Sequence, residues 1–141
     1  MKAFATKNSI RATPDRIWAL LTDAPGYPKW NNTVDKIDGQ IAAGQSITVH
    51  AKINPGRAFP VKVSEFAPAQ RMVWSGGMPL GLFKGARTYT LISQGNGEVE
   101  FSMSEEFSGW LAPLITRSIP DMQPAFDQFA GDLKRAAEEK K

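Results

Sequence analysis

Two charged side chains in apolar company are the residues best placed to do chemistry in this sequence, Arg87 and Glu105. Alternation over residues 98–108 puts Val99, Phe101, Met103, Glu105 and Phe107 on one face of a strand and mainly polar residues on the other. On the preceding strand Phe83, Gly85, Arg87, Tyr89 and Leu91 share a phase, and Tyr89 and Leu91 mark it as the inner one. A three-residue turn centred on Asn96 in Gly95-Asn96-Gly97 makes positions equidistant from it face one another, so Tyr89 meets Met103 and Arg87 meets Glu105. Either charge alone would be prohibitively costly in an apolar interior, whereas a hydrogen-bonded pair is tolerable. Such a pair has three possible uses. It satisfies itself, it anchors a ligand, or it catalyses, with Glu105 as acid or base and Arg87 stabilising a developing negative charge on oxygen.

Other chemistries find little material. No cysteine occurs, which removes disulfides and thiol-based metal or redox sites. His50 is the single histidine and falls in phase with Thr48 and Lys52, opposite Ile47, Val49, Ala51 and Ile53, so it is expected to face solvent. A histidine-centred triad or multi-histidine metal site is therefore disfavoured. Asp121 and Asp127 read as helix-start and solvated-face residues. No metal and no cofactor is assigned.

The elements that must position the pair follow from the spacing of apolar and turn residues. Residues 4–10 alternate as a first strand, and Thr13-Pro14-Asp15 supplies an N-cap, a helix-compatible proline and an acidic first turn. Ile17, Trp18, Leu20 and Leu21 form the apolar face of the short helix that follows; Asp23-Ala24-Pro25-Gly26 stops it, and Tyr27 to Trp30 adds a further turn. Six β-like runs come next, over 34–41, 45–53, 59–66, 72–76, 83–93 and 98–108. The breaks at Asn54-Pro55-Gly56, Ala67-Pro68-Ala69 and Gly95-Asn96-Gly97 imply antiparallel neighbours. Beyond Gly109, Ile115, Ile119, Met122, Phe126, Phe129 and Leu133 recur at helical spacing. Pro120 and Pro124 predict a break near 118–121 and a continuous helix over about 121–138, with Pro124 in its first turn.

These elements define an α+β domain, a curved antiparallel seven-stranded sheet around a long C-terminal helix, with one or two short helices after strand 1. One helix cannot fill a strongly curved sheet, and the gap is a natural site for an apolar ligand. Ligand-binding candidates are Trp30, Trp74, Phe83, Arg87, Tyr89, Phe101, Met103, Glu105, Trp110, Met122 and Phe126. Trp18 and Trp74 also suit plain core packing. Trp110, beside Gly109, is expected to guard an entrance together with the Gly- and Pro-rich stretch 76–83, read as a lid.

The order and spacing of several motifs carry a resemblance. Ser9-Ile10-Arg11-Ala12-Thr13-Pro14-Asp15-Arg16-Ile17-Trp18, Trp30, Phe107-Ser108-Gly109-Trp110-Leu111-Ala112-Pro113-Leu114 and the stretch 126–138 together resemble the START-like (SRPBCC) superfamily, in its bacterial polyketide cyclase/dehydrase-type branch, over nearly the whole chain. That resemblance implies a helix-grip fold with a deep cavity for lipids, hormones, polyketides or other apolar molecules. It implies no single activity, since members include enzymes, carriers and interaction modules, and it brings no universal catalytic motif.

Composition bounds the rest. With 141 residues, 42% hydrophobic and 22% charged, the chain is expected to be one globular domain over 1–141. A formal charge of +3 spread along the chain, with no basic cluster, argues against a nucleic-acid groove. No apolar run approaches a bilayer span and the first residues lack a secretory block, so a cytoplasmic location is the default expectation. The leading reading is binding of a small hydrophobic or amphipathic molecule by a monomer or homodimer. The alternatives are a cyclase/dehydratase-like enzyme using Glu105, Arg87 and Tyr89, and a protein- or membrane-interaction module.

Overall fold

The computed structural model describes residues 3–52, 58–78, 80–115 and 121–139. Strand β1 (Ala3–Ile10) leads into helix α1 (Pro14–Thr22), where the Thr13 side chain accepts from the Arg16 amide at 3.2 Å and Pro14 occupies the first turn. Ile17, Trp18 and Leu21 bury one face of α1. Asp23 then caps a single 3₁₀ turn (Ala24–Gly26), and α2 (Tyr27–Trp30) follows directly.

Six strands come next: β2 (Val34–Asp38), β3 (Ser46–Ala51), β4 (Phe59–Ala67), β5 (Arg71–Met78), β6 (Phe83–Ser93) and β7 (Val99–Ser108). A short α3 (Ala112–Ile115) and the long α4 (Gln123–Glu138) complete the described chain. The sheet is antiparallel in the order β1-β7-β6-β5-β4-β3-β2. The register across β6 and β7 is the one that the Asn96-centred turn demands, with Arg87 against Glu105 and Tyr89 against Met103. Gly95 and Gly97, at φ of 81° and 82°, supply the left-handed conformations, and the Gln94 amide closes the turn on the Glu98 carbonyl at 2.9 Å.

Helix α4 lies across the inner face of the curved sheet. Phe126, Phe129, Ala130 and Leu133 are buried there against Phe4, Tyr89 and Phe101. Its far end is tied to the start of the chain: the Arg16 side chain donates to the carbonyls of Ala136, Ala137 and Glu139 at 3.1, 2.6 and 3.0 Å. Lys134 donates to the Ser9 carbonyl at 2.6 Å, and the Arg11 amide donates to Glu138 at 2.8 Å. A cation at a helix C-terminus satisfies carbonyls that have no partner within the helix.

Three of the differences from the sequence-based boundaries have a local cause. Strand β2 ends at Asp38 rather than 41, because Gly39 turns at φ 105°, where a Cβ would stand 3.1 Å from the Ser46 carbonyl oxygen. Gly76 and Gly77 belong to β5, paired with Gly85 and Lys84, and are not lid. A Cβ at Gly76 would stand 2.5 Å from the Pro60 carbonyl oxygen, so glycine lets the backbones approach. The long helix begins at Gln123, whose amide donates to the Asp121 side chain at 3.0 Å, and Pro124 sits in its first turn. The Asn54-Pro55-Gly56 turn and most of the expected break near 118–121 lie outside the described residues.

Candidate functional site

Adjacent strands deliver Arg87 and Glu105 to the same inner face, and Arg87 Nε donates to Glu105 Oε1 at 2.7 Å. The pair is reachable from outside, with side chains 21% and 13% exposed. The Arg87 guanidinium also rests on the Phe126 ring, 4.8 Å from its centroid, so α4 holds it by a cation–π contact. One residue further in, Tyr89 is fully buried and its hydroxyl has no hydrogen-bond partner among the described residues. The guanidinium acts on that hydroxyl electrostatically, but the contact falls short of a well-formed hydrogen bond.

The electrostatics are those of a neutral cluster. Burial works against the charge on Arg87, and Glu105 followed by Tyr89 outweighs it, so the guanidinium holds its proton more tightly than usual. Burial pushes the Tyr89 phenol up to about 12, although Arg87 pulls the other way. Tyr27, whose hydroxyl donates to the Leu21 carbonyl at 2.6 Å, is likewise raised well above the ordinary value, chiefly by burial. These are the only two tyrosines in the sequence. Alkaline titration is therefore expected to show no tyrosinate absorbance with the fold intact near the ordinary pKa of about 10. A phenol whose pKa is raised in the folded state contributes stability below its unfolded value that is lost as pH rises through the folded one. Tyrosinate should accordingly appear together with loss of circular dichroism. A tyrosinate step near pH 10 at full native ellipticity would contradict the burial of both rings.

Around the pair, burial changes along the strands. On β6, Leu91 and Tyr89 are buried, whereas Arg87, Gly85 and Phe83 are half-exposed. On β7, Phe101 and Met103 are buried and Glu105 is half-exposed. A Cβ on Gly85 would stand 3.2 Å from the Phe107 ring and 3.9 Å from Glu105 Oε2, so glycine lets that ring pack closely on β6 beside the carboxylate. Phe83 stacks on Phe107 at 5.8 Å, which lines that end with rings.

The other sequence candidates divide into two groups. Met122, half-buried, and Phe126, buried, stand at the start of α4 beside the pair. Trp74 packs on Tyr89 at 4.9 Å, and its indole donates to the Met72 sulfur. Trp30 lies further in, against Tyr27 and Phe129 at 4.9 and 5.8 Å, and forms core with Phe101 and Met103. His50 is half-buried and bonds Asp38 of the neighbouring strand at 2.9 Å, which makes it a sheet cross-link. The residue that sequence reasoning missed is Asp132, fully buried on α4. Its position inside the run 129, 130, 133, 136 and 137 of buried helix residues was the available signal.

Trp110 meets the β5–β6 connection as the sequence led us to expect. Its amide donates to the Gly81 carbonyl at 3.2 Å, and the next amide, of Leu111, donates to Leu82 at 2.8 Å. Gly109 makes this approach possible: its φ is 110°, and a Cβ would fall 2.7 and 2.8 Å from the Leu82 and Gly81 oxygens. The indole itself is 87% exposed and Leu80 is 93% exposed, so this end carries uncovered apolar surface.

Comparisons with known proteins agree with this architecture. A hypothetical protein from Helicobacter pylori superposes with a TM-score of 0.79 at 14% identity, over 97% of this chain and 88% of that one. The Zhui aromatase/cyclase from Streptomyces sp. R1128 gives 0.74 at 11% identity, over 97% and 93%. A START superfamily protein from Mycobacterium smegmatis gives 0.70 at 14%, over 96% and 97%. At such identities the likeness is one of fold, here the helix-grip fold. No curated protein matches the sequence. Among the described residues no helix is long and apolar enough to cross a membrane. The sequence profile for polyketide cyclase / dehydrase and lipid transport proteins matches residues 1–138, and the chain belongs to that family.

Proposed function

We propose that this protein binds a small hydrophobic or amphipathic molecule between the curved sheet and α4, entering beside Trp110. The observation that carries the reading is the change in burial along the inner face of β6, with the half-exposed Glu105 of β7 beside it. An inner face that is closed at Tyr89 and Met103 becomes reachable at Arg87, Gly85 and Glu105. A ligand there would meet aromatic walls with a few polar groups among them, the usual make-up of a small-molecule site. Trp110 and Leu80 extend the apolar path outward.

The test uses a fluorescent polyaromatic probe. Saturable one-to-one binding is expected, and Trp110→Ala should change the exchange rate several-fold through loss of the aromatic rim. Native mass spectrometry of protein purified from its own host should show a retained mass. Probe binding that never saturates, together with a bare protein mass, would remove the proposal. A second reading, a cyclase or dehydratase, is favoured by the partly accessible Glu105 carboxylate beside a fixed cation. It requires turnover that disappears in Glu105→Gln while probe binding persists.

A further inference from the structure

We propose that Asn96 is a site of self-modification: the Gly97 nitrogen attacks the asparagine side chain, ammonia leaves, and the isoaspartate that results loosens the β6–β7 hairpin. This stands apart from the binding reading. Asn96 is the one asparagine followed by glycine, and both residues are exposed at the hairpin tip. The Gly97 amide donates to no described residue, so its nitrogen is free to attack. The Glu98 amide donates to Asn96 Oδ1 at 3.2 Å, which polarises the carbonyl under attack and closes a ring that includes the Gly97 nitrogen. Asn96 Nδ2 donates to Glu98 Oε2 at 3.3 Å, a long, solvated contact that restrains the side chain little. Gly95 and Gly97 have open space where a Cβ would stand, so the tip bends toward the cyclic geometry without a clash. The other asparagines lack this setting. Asn8 lies within β1 and donates to the Ala130 carbonyl at 3.0 Å. Asn31 and Asn32 precede amides already held, by Asp132 at 2.7 Å and by Asn31 Oδ1 at 2.8 Å. Asn54 precedes a proline, which has no N–H.

The chemistry needs only water. A bond forms between the Gly97 nitrogen and Asn96 Cγ, the Cγ–Nδ2 bond breaks, and the proton of the Gly97 nitrogen passes through solvent to Nδ2, which departs as ammonia. One water then opens the cyclic imide. Cleavage at the Cγ–nitrogen bond leaves aspartate. Cleavage at the main-chain carbonyl leaves isoaspartate, whose main chain runs through Cβ and Cγ and whose former main-chain carbonyl is a free carboxylate. The turn that sets Arg87 opposite Glu105 thereby gains a carbon, and Glu98 gains a like charge at its side. A free carboxylate of this kind is the group that isoaspartate-specific carboxyl methyltransferases esterify, so the aged protein becomes a substrate for that class of enzyme.

The experiment ages the whole protein in mildly alkaline buffer, native and in urea, and follows by mass the tryptic peptide from Thr88 to Arg117, in which Asn96 is the only asparagine. The native rate of amide-to-acid conversion should lie within about tenfold of the rate in urea, because the free nitrogen and the glycine-flanked tip add little to the barrier. Aged protein should accept methyl groups from an isoaspartate methyltransferase, and its amide hydrogen exchange across β6 and β7 should quicken. Freshly made Asn96→Asp, which gains the charge without the extra carbon, should exchange at nearly the wild-type rate. Asn96→Gln, whose attack requires a larger ring, should neither age nor accept methyl groups. Protection of Asn96 by more than about a hundredfold on folding would overturn the site. Methyl acceptance that persists in Asn96→Gln would also overturn it and move the chemistry to Asp38-Gly39, the other acid or amide followed by glycine. Unchanged hydrogen exchange in the aged protein would overturn the loosening.

Discussion

Phe129→Ala is expected to lower the unfolding free energy by about 3–5 kcal/mol, enough to unfold much of the population of a marginally stable domain. Phe129 is 1% exposed and its ring lies 5.8 to 6.3 Å from those of Tyr27, Trp30, Tyr89 and Phe101. Truncation therefore removes one ring from four contacts, and the neighbours, held on three separate elements, cannot collapse into the void together. Chemical denaturation monitored by tryptophan fluorescence measures the loss. Phe129→Leu should fall between wild type and the alanine variant. A loss under about 1 kcal/mol would mean that α4 is not the keystone of this aromatic cluster.

Asp132→Ala should cost about 2–4 kcal/mol, because it leaves several donors facing a buried gap. The carboxylate is fully buried, and it accepts from the Asn32 amide at 2.7 Å, Gln128 Nε2 at 2.8 Å and Arg135 Nη1 at 3.1 Å. The Asn32 amide matters most, since it belongs to the backbone that carries the chain from α2 into β2 and cannot turn elsewhere. Arg135 has a 55% exposed side chain, so solvent screens its share. Asp132→Asn should lose less than Asp132→Ala, and Arg135→Ala less than about 1 kcal/mol. If Arg135→Ala proved as damaging as Asp132→Ala in urea denaturation, the ion pair and not the backbone contact would be the source of the stability.

The parts of the fold legible in the sequence are those governed by short-range rules. The cap at Thr13, the Asn96-centred turn and the alternation on β6 and β7 each obey local geometry, and together they give the Arg87–Glu105 pairing. The apolar spacing of Phe126, Phe129 and Leu133 likewise fixes which side of α4 is buried. Asp132 was illegible because an aspartate on a helix is ordinarily solvated, and its shortest partner, which helps make burial tolerable, is a backbone amide a hundred residues away. Gly77 looked like loop, and Gly76 like the junction of strand and lid, because glycines weaken a strand, yet the close approach of Gly76 to Pro60 and of Gly77 to Phe83 requires them. The unpartnered Tyr89 hydroxyl was also out of reach, since alternation gives a side chain's face but not what its far end meets.

The clasp of Arg16, Ser9 and Arg11 on the last turn of α4 joins residues 120 to 127 positions apart. Closing so long a loop in an unfolded chain is slow, because contacts of high sequence separation must be found before any of them rewards the search. Hairpins such as β6–β7 need only their own turn and can form early, which shortens the effective distance the ends must cover. Until α4 arrives, the ring-lined face of the sheet is open to water and to other chains. The time between hairpin formation and helix docking is thus the period in which this protein is most exposed to aggregation, and the clasp that closes it joins residues near the two ends of the chain.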